Sequence, residues 1–145
     1  MRRILFLFFP LLLAANVVFG EILPNEQAAK DLSDKIMTKV NAGDLAAAFD
    51  LMKPYAAVSA TEIDSAALQS KAAMDQFGSR YGSSIGIEFI DSKKSGDSLL
   101  RIRYLQKCVK GPLTWVFYFY KNNDGWLLDT FKWDDSMFTT LFDNK

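Results

Sequence analysis

Apolar positions along residues 21–81 recur every three to four residues, and beyond residue 84 they alternate every second residue. The first pattern is that of helices with one buried stripe, the second that of half-buried strands. Leu32, Ile36 and Val40 stand at i, i+4 and i+8. They predict a first helix capped by Asn25 and ended by Asn41-Ala42-Gly43. Asp44 caps a second helix over Leu45 to Met52, which Pro54 closes. A third helix is expected from about Asp64 to Tyr81, burying Ala67, Met74, Phe77 and Tyr81, with Gly82 stopping it. The strand pattern begins with Ile85, Ile87 and Phe89, and Lys93 to Asp97 reads as a polar turn. Leu99 to Val109 alternates next, with Leu100, Ile102, Tyr104 and Cys108 on one face and Arg101, Arg103 and Lys107 on the other. Lys110-Gly111 turns into Leu113 to Lys121, and Asn123-Asp124-Gly125 turns into Trp126 to Trp133. Helices followed by four antiparallel strands make an α+β domain in which the helices cover the apolar face of a curved meander.

The turns fix what faces what. Pairing Val109 with Pro112 sets Tyr104 opposite Phe117 and Arg103 opposite Tyr118. Pairing Asn122 with Trp126 sets Phe117 opposite Phe131 and Trp115 opposite Trp133. The inner face then collects Leu100, Ile102, Tyr104, Trp115, Phe117, Phe119, Leu127, Phe131 and Trp133. The outer face carries Arg101, Arg103, Lys107, Tyr118, Tyr120, Thr130 and Lys132. A four-residue loop over Asn122 to Gly125 would instead exchange the faces of the last strand. Met137, Phe138, Leu141 and Phe142 return to helical spacing, as a terminal helix sealing the sheet or as a contact surface for another chain.

Composition supports the division. Thirteen alanines lie between Ala28 and Ala73 and none follows, whereas 11 of the 16 aromatics after residue 20 lie beyond residue 100. Alanine favours helix and aromatics favour strand. At the front, Met1-Arg2-Arg3 precedes an apolar run, Ile4 to Ala15, too short for an ordinary bilayer span of about 20 residues. Residues 1–20 are read as a signal peptide cleaved after Gly20, and residues 21–145 as one domain, periplasmic or secreted. An uncleaved anchor is the competing reading, since Val17, Val18 and Phe19 extend the run.

The 145 residues carry 17 Lys and Arg, 17 Asp and Glu, one Cys and no His. Removing Arg2 and Arg3 with the signal leaves 15 cationic against 17 acidic side chains. That balance gives no pull toward nucleic acid, and the membrane enters only through the export signal. Without His there is no Ser-His-Asp or Cys-His catalysis and no His-ligated metal, and one Cys makes neither a thiolate zinc cluster nor an intrachain disulfide. Gly82-Ser83-Ser84-Ile85-Gly86 matches a nucleophile elbow by letters, but a helix precedes it and a strand follows, the reverse of what the elbow needs. Asp134-Asp135 reads as a helix cap rather than a Ca²⁺ site, because further oxygen donors at loop spacing are missing.

Two stretches carry a resemblance. Asn41-Ala42-Gly43-Asp44-Leu45-Ala46-Ala47-Ala48-Phe49 is similar to the helix-turn-helix opening of the nuclear transport factor two-like superfamily, the cystatin-like cone. Tyr118-Phe119-Tyr120, Asp124-Gly125-Trp126 and Trp126-Leu127-Leu128 resemble its closing hairpin. The resemblance covers most of the chain after the signal, at the level of pattern. It implies a cone-shaped hollow between helices and sheet, which in that superfamily is an enzyme pocket, a ligand site or a filled core.

The expected function is therefore an exported, cofactor-free, non-enzymatic domain that binds a small apolar ligand or a protein partner. Tyr104, Trp115, Phe117, Asp129, Phe131 and Trp133 would line the ligand site. Arg101, Arg103, Tyr118 and Tyr120 would form an outer interface, including that of a homodimer through the sheet. The alternative is an isomerase, dehydratase or hydrolase. There Asp129, set across from Phe119 among aromatics, would have a raised pKa and act as acid or base, with Tyr104 as donor. An Asp129 paired with Lys121 at the rim is the plainer alternative.

Overall fold

The structure is a computed structural model that describes residues 20–142. The export signal expected over residues 1–20 lies outside them except for Gly20. The fold is α+β, with helices preceding a four-stranded antiparallel sheet that is curved and unclosed, in the order β1-β2-β3-β4.

Helix α1, Glu26–Asn41, starts where Asn25 accepts a hydrogen bond from the Ala28 amide at 2.8 Å. It buries Ala29, Leu32, Ser33, Ile36, Met37 and Val40, the expected stripe and its neighbours. Helix α2, Leu45–Met52, is capped by the Asp44 carboxylate on the Ala47 amide and runs into a short 3₁₀ turn at Lys53–Tyr55 containing Pro54. Helix α3, Ala60–Tyr81, begins four residues before the expected start. Its signal is a reciprocal cap, in which the Ser59 amide donates to the Glu62 carboxylate at 2.9 Å and the Ser59 hydroxyl accepts from the Glu62 amide at 3.3 Å. The Ser59 amide, and then the Ser59 hydroxyl donating to the same carboxylate at 2.9 Å, hold the Glu62 carboxyl below its usual range. Ala67, Met74, Phe77 and Tyr81 are only half-buried, while Ile63 and Ser70 are the fully buried positions of α3.

The sheet comprises β1 (Ser84–Ser95), β2 (Leu99–Cys108), β3 (Gly111–Lys121) and β4 (Trp126–Asp134). Strand β1 runs through the expected polar turn, and the chain reverses at Gly96–Ser98 instead, with Ser95 opposite Leu99. Irregularities between Ser84 and Gly86 and between Phe89 and Asp91 break its alternation. Ile85 is consequently 65% exposed, and Phe89 is 45% exposed at the margin beneath the Lys30 ammonium, 4.3 Å from its ring centre.

The β2–β3 register is two residues away from the expected one. Cys108 pairs with Gly111, so Tyr104 faces Trp115 and Arg103 faces Val116. A slip of two keeps every side chain on its expected face. Gly111 is needed for packing rather than for the turn, since a β-carbon there would lie 2.9 Å from Tyr81 Cδ1.

The β3–β4 hairpin combines both sequence readings. Next to the loop, Lys121 pairs with Trp126 and Phe119 with Leu128, which is the four-residue loop with exchanged faces. The register shifts opposite the Tyr118–Phe119 step, where Asp129 is the extra residue, and from Thr130 onward Phe117 faces Phe131 and Trp115 faces Trp133 as expected. Trp126 and Leu128 therefore enter the core, and Leu127, expected inside, is only half-buried.

The space between the layers is filled. Ile36, Met37, Phe49 and Met52 pack with Leu100, Ile102, Tyr104, Trp115, Phe117, Phe119, Trp126 and Leu128 in one buried cluster. Past β4 the chain makes a wide helical turn at Phe138–Phe142, and the Arg103 guanidinium reaches the Thr140 carbonyl from the outer face of the sheet at 2.5 Å. The outer edge of β4 is occupied by two short pairings, Leu23 with Trp126 and Ala56 with Leu128.

Candidate functional site

The residues expected to line a hollow instead build the core. Tyr104, Trp115 and Phe117 are completely buried, and Trp115 stacks between Phe117 and Trp133 with ring centres 6.3 and 5.8 Å away. Phe131 and Trp133 are half-buried. Phe131 meets Phe49 edge-on at 5.2 Å, and the Trp133 indole donates to the Ser70 hydroxyl at 3.0 Å. The Tyr104 hydroxyl donates to the Asp34 carboxylate at 2.6 Å, and burial followed by that carboxylate pushes its pKa upward. Asp129 departs most from expectation. As the extra residue of the bulge it is exposed, Leu128 takes the place opposite Phe119, and neither Tyr104 nor an ion pair with Lys121 accompanies it among the described residues.

The outer face also differs from a row of free arginines and tyrosines. The Arg103 side chain is 6% exposed. Its Nε donates to Asp91 Oδ1 at 2.7 Å and its Nη2 to Asp91 Oδ2, while Nη1 holds Thr140. Tyr118 is half-buried, Tyr120 is exposed, and Arg101 reaches Asp91 only at 3.6 Å. Arg103 before all else holds the Asp91 carboxyl below its usual range. A lowered folded-state pKa means that this stabilisation is complete at neutral pH. It is lost as pH falls below the ordinary carboxylate value of about 3.9 and through the lowered one. Asp91→Asn is therefore expected to cost about 1–2 kcal/mol at neutral pH, discounted for water on the open side of the carboxylate. The gap from the unsubstituted protein should close in acid, as urea unfolding at a series of pH values will show.

A cleft of about 340 Å³ opens where the end of α1, the start of α2 and the last turns of α3 meet β1, β2 and β3. Its apolar wall includes Val40, Leu45, Met74, Phe77 and Leu113. Its polar groups come from distant parts of the chain. Gln106, 5% exposed, accepts at Oε1 from the Trp115 indole at 2.9 Å. Indole N–H can only donate, so this bond fixes the orientation of the amide and leaves its NH₂ group unused among the described residues. Asn41 Oδ1 accepts from the Ser84 hydroxyl at 2.8 Å, and the Asn41 NH₂ has no partner among the described residues. Burial pushes the Cys108 thiol upward, so it stays protonated and is a poor nucleophile. The Tyr81 hydroxyl is taken by Asp135 at 2.7 Å. Amide donors set in an apolar wall can hold a carbonyl or hydroxyl oxygen, and no carboxylate among the described residues lines the cleft to act as base.

Gly78 sits on the wall within α3, and a β-carbon added there would meet nothing within 4 Å. Gly78→Ala is expected to stabilise the protein by about 0.5–1 kcal/mol, through lower unfolded-state entropy, as a shift in the urea midpoint at constant slope.

Of the sequence-based site residues, none lines this cleft, and of the inward residues named from β2 only Cys108 does. Gln106 was legible in principle, being a polar residue at an inward position of an otherwise apolar alternation. Asn41 carried no signal beyond its place at a helix end. No protein-family model, no curated protein and no solved structure matches this chain.

Proposed function

We propose that the chain is an exported, non-enzymatic binding domain that holds a small, largely apolar molecule in the cleft between the helix ends and the sheet. The observation that carries this reading is the combination of a cleft of about 340 Å³ with two unused amide donors in an apolar wall. That size falls within the range of small-molecule sites, about 300–1,000 Å³. The basic start and apolar run over residues 1–20 support export. The succession of helices and a curved antiparallel sheet supports membership of the cone superfamily, with the ligand at one end of a filled interior rather than inside it.

Thermal unfolding against a panel of small apolar carbonyl and hydroxyl compounds tests the reading. A compound at a hundredfold excess over its Kd should stabilise the folded form by about 2.7 kcal/mol, a rise of several degrees in Tm. Gly78→Phe, which fills the cleft from an unstrained helical position, should remove that rise. An undiminished rise in Gly78→Phe, or no rise with any compound, would refute the proposal.

A further inference from the structure

On the outer face of the sheet, remote from the cleft, a groove of about 340 Å³ lies beside the β1–β2 turn. Its lining includes Lys93, Lys94 and Arg101 and, among the described residues, no carboxylate. The three cations are not equally engaged. Lys94 is paired with Glu26 at 3.0 Å, whereas Lys93 makes no ion pair among the described residues. Arg101 competes for Asp91 with Arg103 and loses. Arg103 takes both carboxylate oxygens in a fork, and the nearest approach of Arg101 is 3.6 Å. The Nε of Arg101 is buried with no acceptor among the described residues. Leaving that one N–H without an acceptor is costly, although the Arg101 side chain as a whole is 28% exposed and keeps its 3.6 Å ion pair with Asp91. Around Asp91 stand three cationic side chains, Lys93, Arg101 and Arg103, which leaves the patch with a surplus of positive charge. Beside them Leu99 is 51% exposed, and Tyr118 lies directly across from Arg101 in the β2–β3 register.

We propose that this groove binds a small oxyanion carried on an apolar group, such as the phosphate ester of an aryl or alkyl alcohol. The oxyanion bonds the exposed part of the Arg101 guanidinium and neutralises Lys93, while the apolar part rests on Leu99 and the Tyr118 ring. Guanidinium suits this task because it is planar, keeps its charge, and carries more than one N–H for the oxygens of an oxyanion. Asp91 is already committed to Arg103, so an incoming anion meets cations first.

The test uses phenyl phosphate as the organic ester and inorganic phosphate as the bare anion, each titrated into ¹⁵N-labelled protein at low salt. Phenyl phosphate should move the Arg101 Nε–Hε signal and bind at least threefold more tightly than inorganic phosphate. Arg101→Gln should weaken it tenfold or more. Lys93→Gln, an exposed position whose replacement leaves the fold intact, should weaken it severalfold, and Gly78→Phe should leave it unchanged. The proposal fails if the Arg101 signal does not move, if both anions bind equally, if Lys93→Gln binds as the unsubstituted protein does, or if Gly78→Phe abolishes binding.

Discussion

Trp115→Ala is expected to lose about 3–5 kcal/mol of folding stability, the range for removing a large aromatic from a close-packed core. Against a typical total of about 5–15 kcal/mol, that removes from about a fifth to nearly all of the stability. The size of the loss follows from the position. Trp115 is completely buried, lies between Phe117 and Trp133, and carries the indole N–H that fixes the Gln106 amide. Trp115→Phe keeps most of the ring volume and should cost less, because the Gln106 carbonyl it releases lies beside the open cleft and can turn toward water. Urea unfolding followed by far-ultraviolet circular dichroism measures both. A loss below about 1 kcal/mol for the alanine variant would mean that the interior is not close-packed around this ring.

The second large effect is expected at Gly125, where the backbone has a φ of 148° and the space is closed. A β-carbon there would stand 2.5 Å from Ile22 Cγ2 and 2.6 Å from the Leu23 carbonyl oxygen. The first of these is a side chain that can move, but the second is backbone held by two hydrogen bonds, Leu23 N to Trp126 O at 2.9 Å and Trp126 N to Leu23 O at 2.8 Å. Gly125→Ala should therefore detach the segment before α1 from β4. The loss combines two hydrogen bonds with the burial of Leu23 and comes to about 3 kcal/mol. Hydrogen exchange gives the specific readout, since the Trp126 amide should lose its protection while amides in the middle of β3 keep theirs relative to the new global stability. Gly96→Ala is the control. That glycine has a φ of 62° in the β1–β2 turn with nothing within 4 Å of a β-carbon, so only backbone strain of about 1 kcal/mol is expected. Equal losses at the two glycines, or a Trp126 amide that stays protected, would overturn the argument.

The faces of α1, β2 and β3 were legible in the sequence because each rests on a strong period, whereas those of α3, β1 and β4 were not. The Leu32, Ile36 and Val40 stripe and the inward positions of β2 and β3 are buried as their spacing requires. Registers were less legible, because alternation is blind to a slip of two, and moving the β2–β3 turn from Lys110-Gly111 to Val109-Lys110 changes no face. The β4 bulge did leave a trace. Trp126 and Leu128 occupy even positions and Phe131 and Trp133 odd ones, so no unbroken strand can bury all four. An extra residue between them is the physical solution, and Asp129, the polar residue in that gap, takes it. The acidic group that looked poised for chemistry is thus placed outside by the same aromatics that seemed to surround it.

Arg103 shows the opposite error. Its alternation placed it among solvated cations, yet it is buried and paired with Asp91. The missing step was the β1–β2 turn. Once the reversal falls at Gly96–Ser98, Ser95 opposes Leu99 and the same register carries Asp91 to Arg103. The cleft was beyond a local reading for a different reason. Asn41 and Gln106 are 65 positions apart, and only the docking of α1 against the end of the sheet brings them to one wall.

The two sides of the sheet are not equivalent for self-association. Along β4 the backbone is already met by Leu23 and Ala56, whereas β1 has a strand neighbour on one side only, with its irregularities at Ile85 and between Phe89 and Asp91. Intermolecular strand addition needs two open rims on each molecule to propagate into a fibre. With the Trp126–Leu128 part of one rim met by its own chain, β1 is the rim left more open to strand addition, and β1–β1 pairing of two copies closes on itself instead of propagating.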